Sequence, residues 1–177
     1  MDEKVSFSGQ QLSLASIASH YRDVEDALRE LYFHAAASHA RFVGYTASEL
    51  QSELDARLAE EGQMLALSVL AAVEAAFRVD YLQRVYGKKK DPLSKSLRYI
   101  YKAKGTRAKL EDDILDCWRH NSDVSRQLIS DLKSAFGFRH WLAHGRYWTP
   151  KLGRSFDYFN VHMLAEQASE MVPSLAE

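Results

Sequence analysis

Residues 64–82, MLALSVLAAVEAAFRVDYL, are apolar on almost every side when they are spaced at about 100° per residue around a helix. A helix of this kind is stable in water only where other elements cover it all round, so it must lie at the centre of the fold. Its flanks extend it: Thr46 and Glu49 in TASE have the spacing of a capping box, and Gly87 provides a C-terminal stop. The longest apolar run has ten residues, about half of what a membrane span needs.

Apolar residues recur at helical spacing along the whole chain, and helix breakers are few, with three prolines and eight glycines among 177 residues. The predicted helices besides the central one cover residues 12–42, 92–105 (with Asp91 as the cap and Pro92 at the first position), 107–119, 123–146 and 158–172. No strand-like alternation persists beyond a few residues. The sequence therefore predicts an all-α fold: one domain over residues 1–177, a bundle of five to six helices with one long central helix. We expect residues 1–10 to be disordered.

The charge and cysteine content narrow the classes of function. The net charge is −1, so affinity for nucleic acid must come from a local patch rather than from the chain as a whole. The single cysteine, Cys117, excludes an intrachain disulfide and a cysteine-based zinc cage. The first residues, MDEKVSFSG, are polar and acidic, which predicts no signal peptide and a cytoplasmic protein.

Basic residues are concentrated between residues 88 and 109, a segment with nine of them and a single acid, Asp91. The segment therefore has a net charge of +8, whereas the rest of the chain has a net charge of −9. Tyr99 and Tyr101 are interleaved with them. This pattern is typical of a surface that contacts a phosphate backbone, although a solvated helical hairpin has the same composition. The predicted RNA-binding residues are Lys88, Lys89, Lys90, Lys95, Arg98 and Lys102.

The apolar central segment carries two opposite charges, Glu74 and Arg78, four residues apart on one helix face. This order and spacing favour an ion pair. The pair either reaches the rim of the core or lines a functional site, since buried charges are costly unless they are paired.

The segment FRHWLAHGRYW, residues 138–148, brings Arg139, His140 and His144 within six positions. Arginine binds phosphate oxygens bidentately, and histidine exchanges protons near neutral pH. RNA supplies its own nucleophile, the 2′-hydroxyl, so one arginine with one or two histidines suffices for strand scission to a 2′,3′-cyclic phosphate. Zinc is the alternative for two histidines four residues apart, but no third ligand lies nearby.

The helical spacing of residues 138–144 predicts which side chains face the core and which face away from it. Phe138, Trp141 and Leu142 define the stripe that faces the core, so His140 and His144 point to the opposite side. That face meets either solvent or a second copy of the chain. If a two-fold axis passed near this helix, the second copy of the chain would form the other wall of a phosphate site. Two His144 side chains would then lie in one cleft, so we predict a homodimer.

RHWLAH resembles the R-x(4–6)-H motif of the HEPN superfamily, α-helical domains of prokaryotic defence and toxin systems. The motif occupies a compatible place, late in a small all-α chain and before a loop and a final helix. The resemblance implies a metal-independent endoribonuclease without a cofactor, acting as a homodimer in a toxin or antiphage-defence system, with RNA as substrate and an antitoxin or defence-system partner protein. Some members of the family instead bind RNA or nucleotides, or serve as scaffolds, without cleavage.

The resemblance also implies roles for individual residues. Arg139 corresponds to the phosphate and transition-state ligand, His144 to the acid–base group, and His140 to the polar residue that often follows the arginine. The branch silenced by nucleotidyltransferase antitoxins carries a tyrosine two residues after the histidine. Here the tyrosine is Tyr147, three residues after it, and we assign it a supporting role. Apart from the resemblance, if the Glu74–Arg78 pair lines the site, we expect it to support the site by holding the Arg139 side chain in its orientation.

Overall fold

Helix α2 (Ala47–Tyr86) is the longest element, with 40 residues, in the computed structural model, which describes residues 4–34, 39–172 and 175. Its predicted capping box is confirmed: Thr46 Oγ1 accepts from the Glu49 amide at 3.3 Å, and the Glu49 carboxylate accepts from the Thr46 amide at 2.8 Å. At its other end, the Gly87 amide donates to the Gln83 carbonyl at 2.9 Å. A rise of about 1.5 Å per residue makes this helix about 60 Å long.

Five shorter α-helices accompany α2. They are α1 (Leu14–Phe33), α3 (Pro92–Lys104), α4 (Asp116–Asn121), α5 (Arg126–Ala143) and α6 (Tyr158–Ser169). Helices α1, α3, α5 and α6 all pack directly on α2. Residues 4–34, 39–172 and 175 contain no β-strand. The predicted all-α bundle around one long helix is therefore confirmed.

The main core forms where four helices cover the apolar half of α2. Val69, Val73 and Phe77 of α2 are completely buried there. The neighbouring helices contribute fully buried residues to the same cluster, among them Leu97 of α3, Ile129 and Leu132 of α5, and Val161 of α6. Burial on most sides explains why this segment lacks the polar stripe of a surface helix, although Met64 and Ala71 are exposed.

The first predicted helix, over residues 12–42, is wrong in its extent. Helix α1 ends at Phe33, residues 35–38 lie outside the described residues, and Ala40–Phe42 form a 3₁₀ turn. Tyr32 and Phe42 are both buried in a second small cluster, with ring centroids 4.9 Å apart. A continuous helix would separate these two residues by about 15 Å along its axis, so the chain must turn for both to reach the same cluster.

The predicted helix over residues 107–119 is also wrong, because the chain changes its helical geometry twice. Gly105–Arg107 form a 3₁₀ turn, Leu110–Leu115 form a π-helical turn, and α4 follows. The Lys109 carbonyl accepts from the Ile114 amide at 3.1 Å, the i to i+5 bond that widens the turn. Helix α5 begins at Arg126, three residues later than predicted, and Ser125 is its N-cap, with its hydroxyl accepting from the Leu128 amide at 3.4 Å.

A buried ion pair links α2 to its neighbours. Asp80 is only 8% exposed and accepts from Arg84 Nε at 2.6 Å. The Arg84 guanidinium lies 5.0 Å from the centre of a Trp118 ring and donates to Ser94 Oγ at 3.3 Å. Burial raises the pKa of Asp80, and the bond to Arg84 opposes that shift. The pair therefore ties α2 to α3 and α4.

Residues 4–13 have no regular secondary structure, and residues 1–3 lie outside the described residues. The Val5 amide donates to the Tyr86 hydroxyl at 3.1 Å, and the Lys4 ammonium lies 5.3 Å from the centre of the same ring. This segment therefore contacts the end of α2. None of the helices in the described part of the chain combines the length and apolarity needed to cross a membrane.

Candidate functional site

Helix α5 ends in a Schellman turn that fixes the backbone on both sides of His144. The Gly145 amide donates to the Leu142 carbonyl at 3.3 Å, and the Arg146 amide donates to the Trp141 carbonyl at 3.1 Å. Gly145 has a φ of 80°, in the left-handed region that favours glycine. His144 is therefore the C-cap residue, and the prediction that the helix continues to about residue 146 is wrong.

His140 and His144 lie side by side at the surface. Both are exposed, and their ring centroids are 4.2 Å apart. The Trp148 ring lies 5.8 Å from that of His140, and Trp141 Nε1 donates to the Trp148 carbonyl at 2.7 Å. Phe138, on the other side of the helix, is buried, so the imidazoles face outward as the helical spacing predicts.

Arg146 anchors this turn to the central helix. Its Nη1 donates to Glu60 Oε2 at 2.8 Å and to Gln63 Oε1 at 2.7 Å, and its Nη2 pairs with the other Glu60 oxygen. The bond to Arg146 lowers the pKa of Glu60. This contact spans 86 residues of sequence, so no local pattern indicated it.

Arg139 points toward α2, where Glu74 bridges two guanidinium groups. Glu74 Oε2 lies 3.1 Å from Arg139 Nη2, and Glu74 Oε1 accepts from Arg78 Nε at 2.8 Å. Arg78 Nη1 also donates to the Ala108 carbonyl at 3.2 Å. Arg139 Nε is buried and has no acceptor among the described residues. The two arginines therefore share one carboxylate, keep a net charge of +1, and leave a donor unused.

These side chains line a cleft of 470 Å³ between α2, the π-helical turn and α5. Its walls contain four of the residues predicted to form or support the site: Arg139, His140, Glu74 and Arg78. His144 does not line the cleft but contacts it through the ring of His140. No hydrogen bond or ion pair joins Arg139 to His144 within the described residues, so one copy of the chain brings together only part of the predicted set.

Tyr147, the third predicted supporting residue, lies away from the cleft walls. It is 83% exposed, and its ring packs edge-on against Trp148 with centroids 4.7 Å apart. Its hydroxyl is therefore accessible on the same turn that carries His144.

The predicted RNA-binding residues lie on and before α3. Lys88, Lys89 and Lys90 occupy the connection from α2, and Lys95 and Lys102 are exposed on α3. Arg98 is half-buried and its Nη1 donates to the Lys89 carbonyl. None of these six lines the cleft as the described residues form it. Exposed Tyr99 lies on α3 among them.

The π-helical turn contributes cleft residues that the sequence analysis missed. Lys109, Glu111 and Asp112 all line the cleft, and Lys109 Nζ lies 3.2 Å from Asp112 Oδ2. The only sequence signal was the change from a basic to an acidic run at residues 109–113. A regular helix, as predicted for this segment, would have given these side chains different directions.

Two further findings bear on the class of site. The described residues contain no group of three or more histidine, cysteine, aspartate or glutamate side chains placed to hold a metal ion. Comparison of the chain with protein-family models, with curated proteins and with solved structures gives no significant match. The function proposed below therefore depends on the geometry of the cleft.

Replacing Gly145 with alanine should lower the free energy of unfolding by about 1 kcal/mol, because a Cβ disfavours the left-handed backbone of the Schellman turn. Apart from the two chain neighbours, no atom of the described residues lies within 4 Å of the added Cβ, so the backbone conformation causes the loss. Chemical denaturation measures the change.

The matched control is Gly62→Ala, the same substitution inside α2. The added Cβ makes ordinary contact there, 3.7 Å from Tyr158 Cβ. Alanine has the higher helix propensity, so this variant should gain up to about 1 kcal/mol. Equal effects of the two substitutions would contradict the Schellman turn at His144.

Proposed function

We propose that the protein is a metal-independent endoribonuclease of the HEPN type. It cleaves RNA through attack of the 2′-hydroxyl and leaves a 2′,3′-cyclic phosphate. One observation carries this proposal: Arg139 and His140 line the same cleft, and the exposed ring of His144 lies 4.2 Å from that of His140.

Each group in the cleft has a part in this chemistry. The Arg139 guanidinium binds the non-bridging phosphate oxygens and stabilises the charge that develops on the phosphorane. Glu74 holds this guanidinium in place through the contact at 3.1 Å, and Arg78 supplies a second positive charge beside it. His144 and His140 exchange protons with the reacting oxygens. No metal is required, because the arginines provide the positive charge and RNA provides the nucleophile.

The basic residues around α3 support an RNA substrate. Exposed lysines there attract the phosphate backbone, and exposed Tyr99 offers a ring on which a base can stack. Since these residues do not line the cleft, they contact the strand away from the scissile phosphate.

The biological setting follows from the resemblance of RHWLAH to the HEPN motif. On that basis the protein is a cytoplasmic toxin or antiphage-defence effector, and an antitoxin or another protein of the defence system controls it. Tyr147, exposed beside His144, is accessible to such a partner.

A second candidate function is RNA or nucleotide binding without cleavage. Two observations favour it: Glu74 already neutralises part of the Arg139 charge, and His144 lies outside the walls of the cleft. Cleavage of RNA in the presence of a chelator distinguishes the two functions, since the binding module would leave the RNA intact.

Arg139→Ala and His144→Ala should each reduce RNA cleavage by about 100- to 1000-fold, because one removes the phosphate ligand and the other a proton-transfer group. His144 is exposed, so His144→Ala should fold normally. Arg139 is half-buried and pairs with Glu74, so Arg139→Ala should lose some stability but keep the fold, which circular dichroism checks. Gel analysis of a labelled RNA measures the rate, and end-group analysis identifies the cyclic phosphate.

A substrate with a single 2′-deoxy nucleotide at the cleavage position serves as the control, since it binds but lacks the nucleophile. Full activity in both alanine variants, or activity that a chelator removes and zinc restores, would rule out this mechanism.

Glu74→Gln should reduce turnover about 10-fold with little change in the apparent affinity for RNA, because Arg139 loses the charge that orients it. The matched control is Glu53→Gln. Glu53 lies on the same helix, is equally half-buried at 23% against 20%, and pairs with Arg41 far from the cleft. If the melting temperature falls by the same amount in both variants and both keep normal turnover, Glu74 has only a structural role.

The protein should be a homodimer in solution, because the outward-facing histidines and the open side of the cleft need a second wall to enclose a phosphate. Light scattering should give about twice the 20.2 kDa of one chain. Dilution below the dissociation constant should reduce activity faster than linearly. A fully active monomer would contradict the shared site.

A further inference from the structure

One acidic side chain in the cleft is not used by the protein itself. Glu111 lines the cleft together with Arg139 and His140. It is exposed, and within the described part of the chain it takes part in no hydrogen bond or ion pair. The Glu111 carboxylate thus receives no hydrogen bond from the described residues, although an arginine and an imidazole line the same cleft. A site that binds only anions would not be expected to contain such a free carboxylate.

The π-helical turn determines the direction of Glu111. The Asp113 carboxylate accepts from the Lys109 amide at 2.8 Å and pairs with the Lys104 ammonium. Ile114 and Leu115, on the inner side of the turn, are completely buried. With these contacts fixed, Glu111 must project from the outer side, toward the cleft. Such turns occur frequently at functional sites.

The other carboxylates of the cleft already have cationic partners. Glu74 holds Arg78 and Arg139, and Asp112 lies 3.2 Å from the Lys109 ammonium. Glu111 is therefore the one carboxylate of the described cleft that has no cationic partner, and it is free to take a proton or a hydrogen bond from a bound molecule. A ribonucleotide whose phosphate is held by Arg139 presents such a donor, the adjacent 2′-hydroxyl.

We propose that Glu111 is a further catalytic residue, the general base that accepts the proton of the 2′-hydroxyl. This inference rests on the proposed ribonuclease function. As the proton moves to the Glu111 carboxylate, the 2′-oxygen forms a bond to phosphorus and the bond from phosphorus to the 5′-oxygen breaks. A protonated imidazole of the His140–His144 pair gives its proton to the departing 5′-oxygen. The products are a 2′,3′-cyclic phosphate and a 5′-hydroxyl, and no other reactant is needed.

The surroundings of Glu111 suit this role. Although the side chain reaches solvent, the walls of the cleft partly shield its carboxyl from water and so raise its pKa, and the negative charges of Asp112 and Glu74 act in the same direction. Lys133 and His140, both on α5, lower it without cancelling the shift. A carboxylate with a raised pKa is a stronger base than an ordinary glutamate.

This assignment divides the acid and base roles between two elements. The π-helical turn supplies the base, and the end of α5 supplies the phosphate ligand and the acid. Each copy of the chain then has one group to remove a proton and another to return it. The histidine of a second copy is not required as the base.

The test is Glu111→Gln, which keeps the size of the side chain and removes its charge. Turnover should fall at least about 100-fold. Affinity for a non-cleavable 2′-deoxy substrate, measured by fluorescence anisotropy, should stay the same or increase, because a negative charge has left the phosphate cleft. Glu111→Asp, which keeps a carboxylate set back by one methylene, should retain part of the activity.

The pH dependence provides a second readout. The base must be ionised, so wild-type turnover rises with pH as Glu111 loses its proton, and the raised pKa moves this rise above the range of an ordinary glutamate. The residual turnover of Glu111→Gln should lack this rise. A rise that persists unchanged in Glu111→Gln would overturn the assignment.

Glu170→Gln is the matched control, because it makes the same substitution at an exposed glutamate, at the end of α6, that does not line the described cleft. Its turnover should stay within about twofold of wild type. Equal losses in Glu111→Gln and Glu170→Gln, or normal turnover in Glu111→Gln, would overturn the assignment of the base. The proposed ribonuclease function would then still stand if Arg139→Ala and His144→Ala are inactive, and it fails by itself if the wild-type chain cleaves no RNA.

Discussion

Helix α2 has to bury apolar side chains on most of its sides, and this requirement places four of the other five described helices. Helices α1, α3, α5 and α6 each cover part of it. The charged groups of the buried half must then be neutralised locally, since an isolated charge in such a place is costly. Asp80 forms an ion pair with Arg84, which also lies on α2. Glu74 pairs with two arginines, Arg78 of α2 and Arg139 of α5. The candidate site therefore forms where an ion pair of the central helix meets a third charge from a neighbouring helix.

Local chemistry made much of the fold predictable. Thr46 with Glu49, and Asp91 with Pro92, mark helix starts through contacts that span three residues. The outward direction of His140 follows from helical spacing alone. The predictions failed where distant residues decide the backbone: Tyr32 and Phe42 meet in one cluster, and Asp113 draws Lys104 and the Lys109 amide together to shape the π-helical turn.

The candidate site was predictable in its residue types but not in its arrangement. The sequence indicated Arg139, His140, Glu74 and Arg78, because charged and titratable residues are unusual among apolar neighbours. The sequence also led us to expect that Glu74 and Arg78 hold Arg139, and Glu74 Oε2 lies 3.1 Å from Arg139 Nη2. It could not indicate that Glu111 shares their cleft, or that Arg146 reaches Glu60. Each of these contacts joins elements that are far apart in sequence, and no periodicity or spacing encodes such a contact.

The Schellman turn at Gly145 gives the two histidines different mechanical surroundings. His140 lies within α5, where hydrogen bonds on both sides restrain its backbone. His144 is the C-cap, at the point where α5 ends and a loop begins. The backbone hydrogen bonds at a helix end break far more often than those in the helix interior. The imidazole pair thus combines one ring inside a helix with one on a turn that the contact between Arg146 and Glu60 restrains. This contact lies on α2, so a residue outside the cleft helps to hold one of the two imidazoles in place.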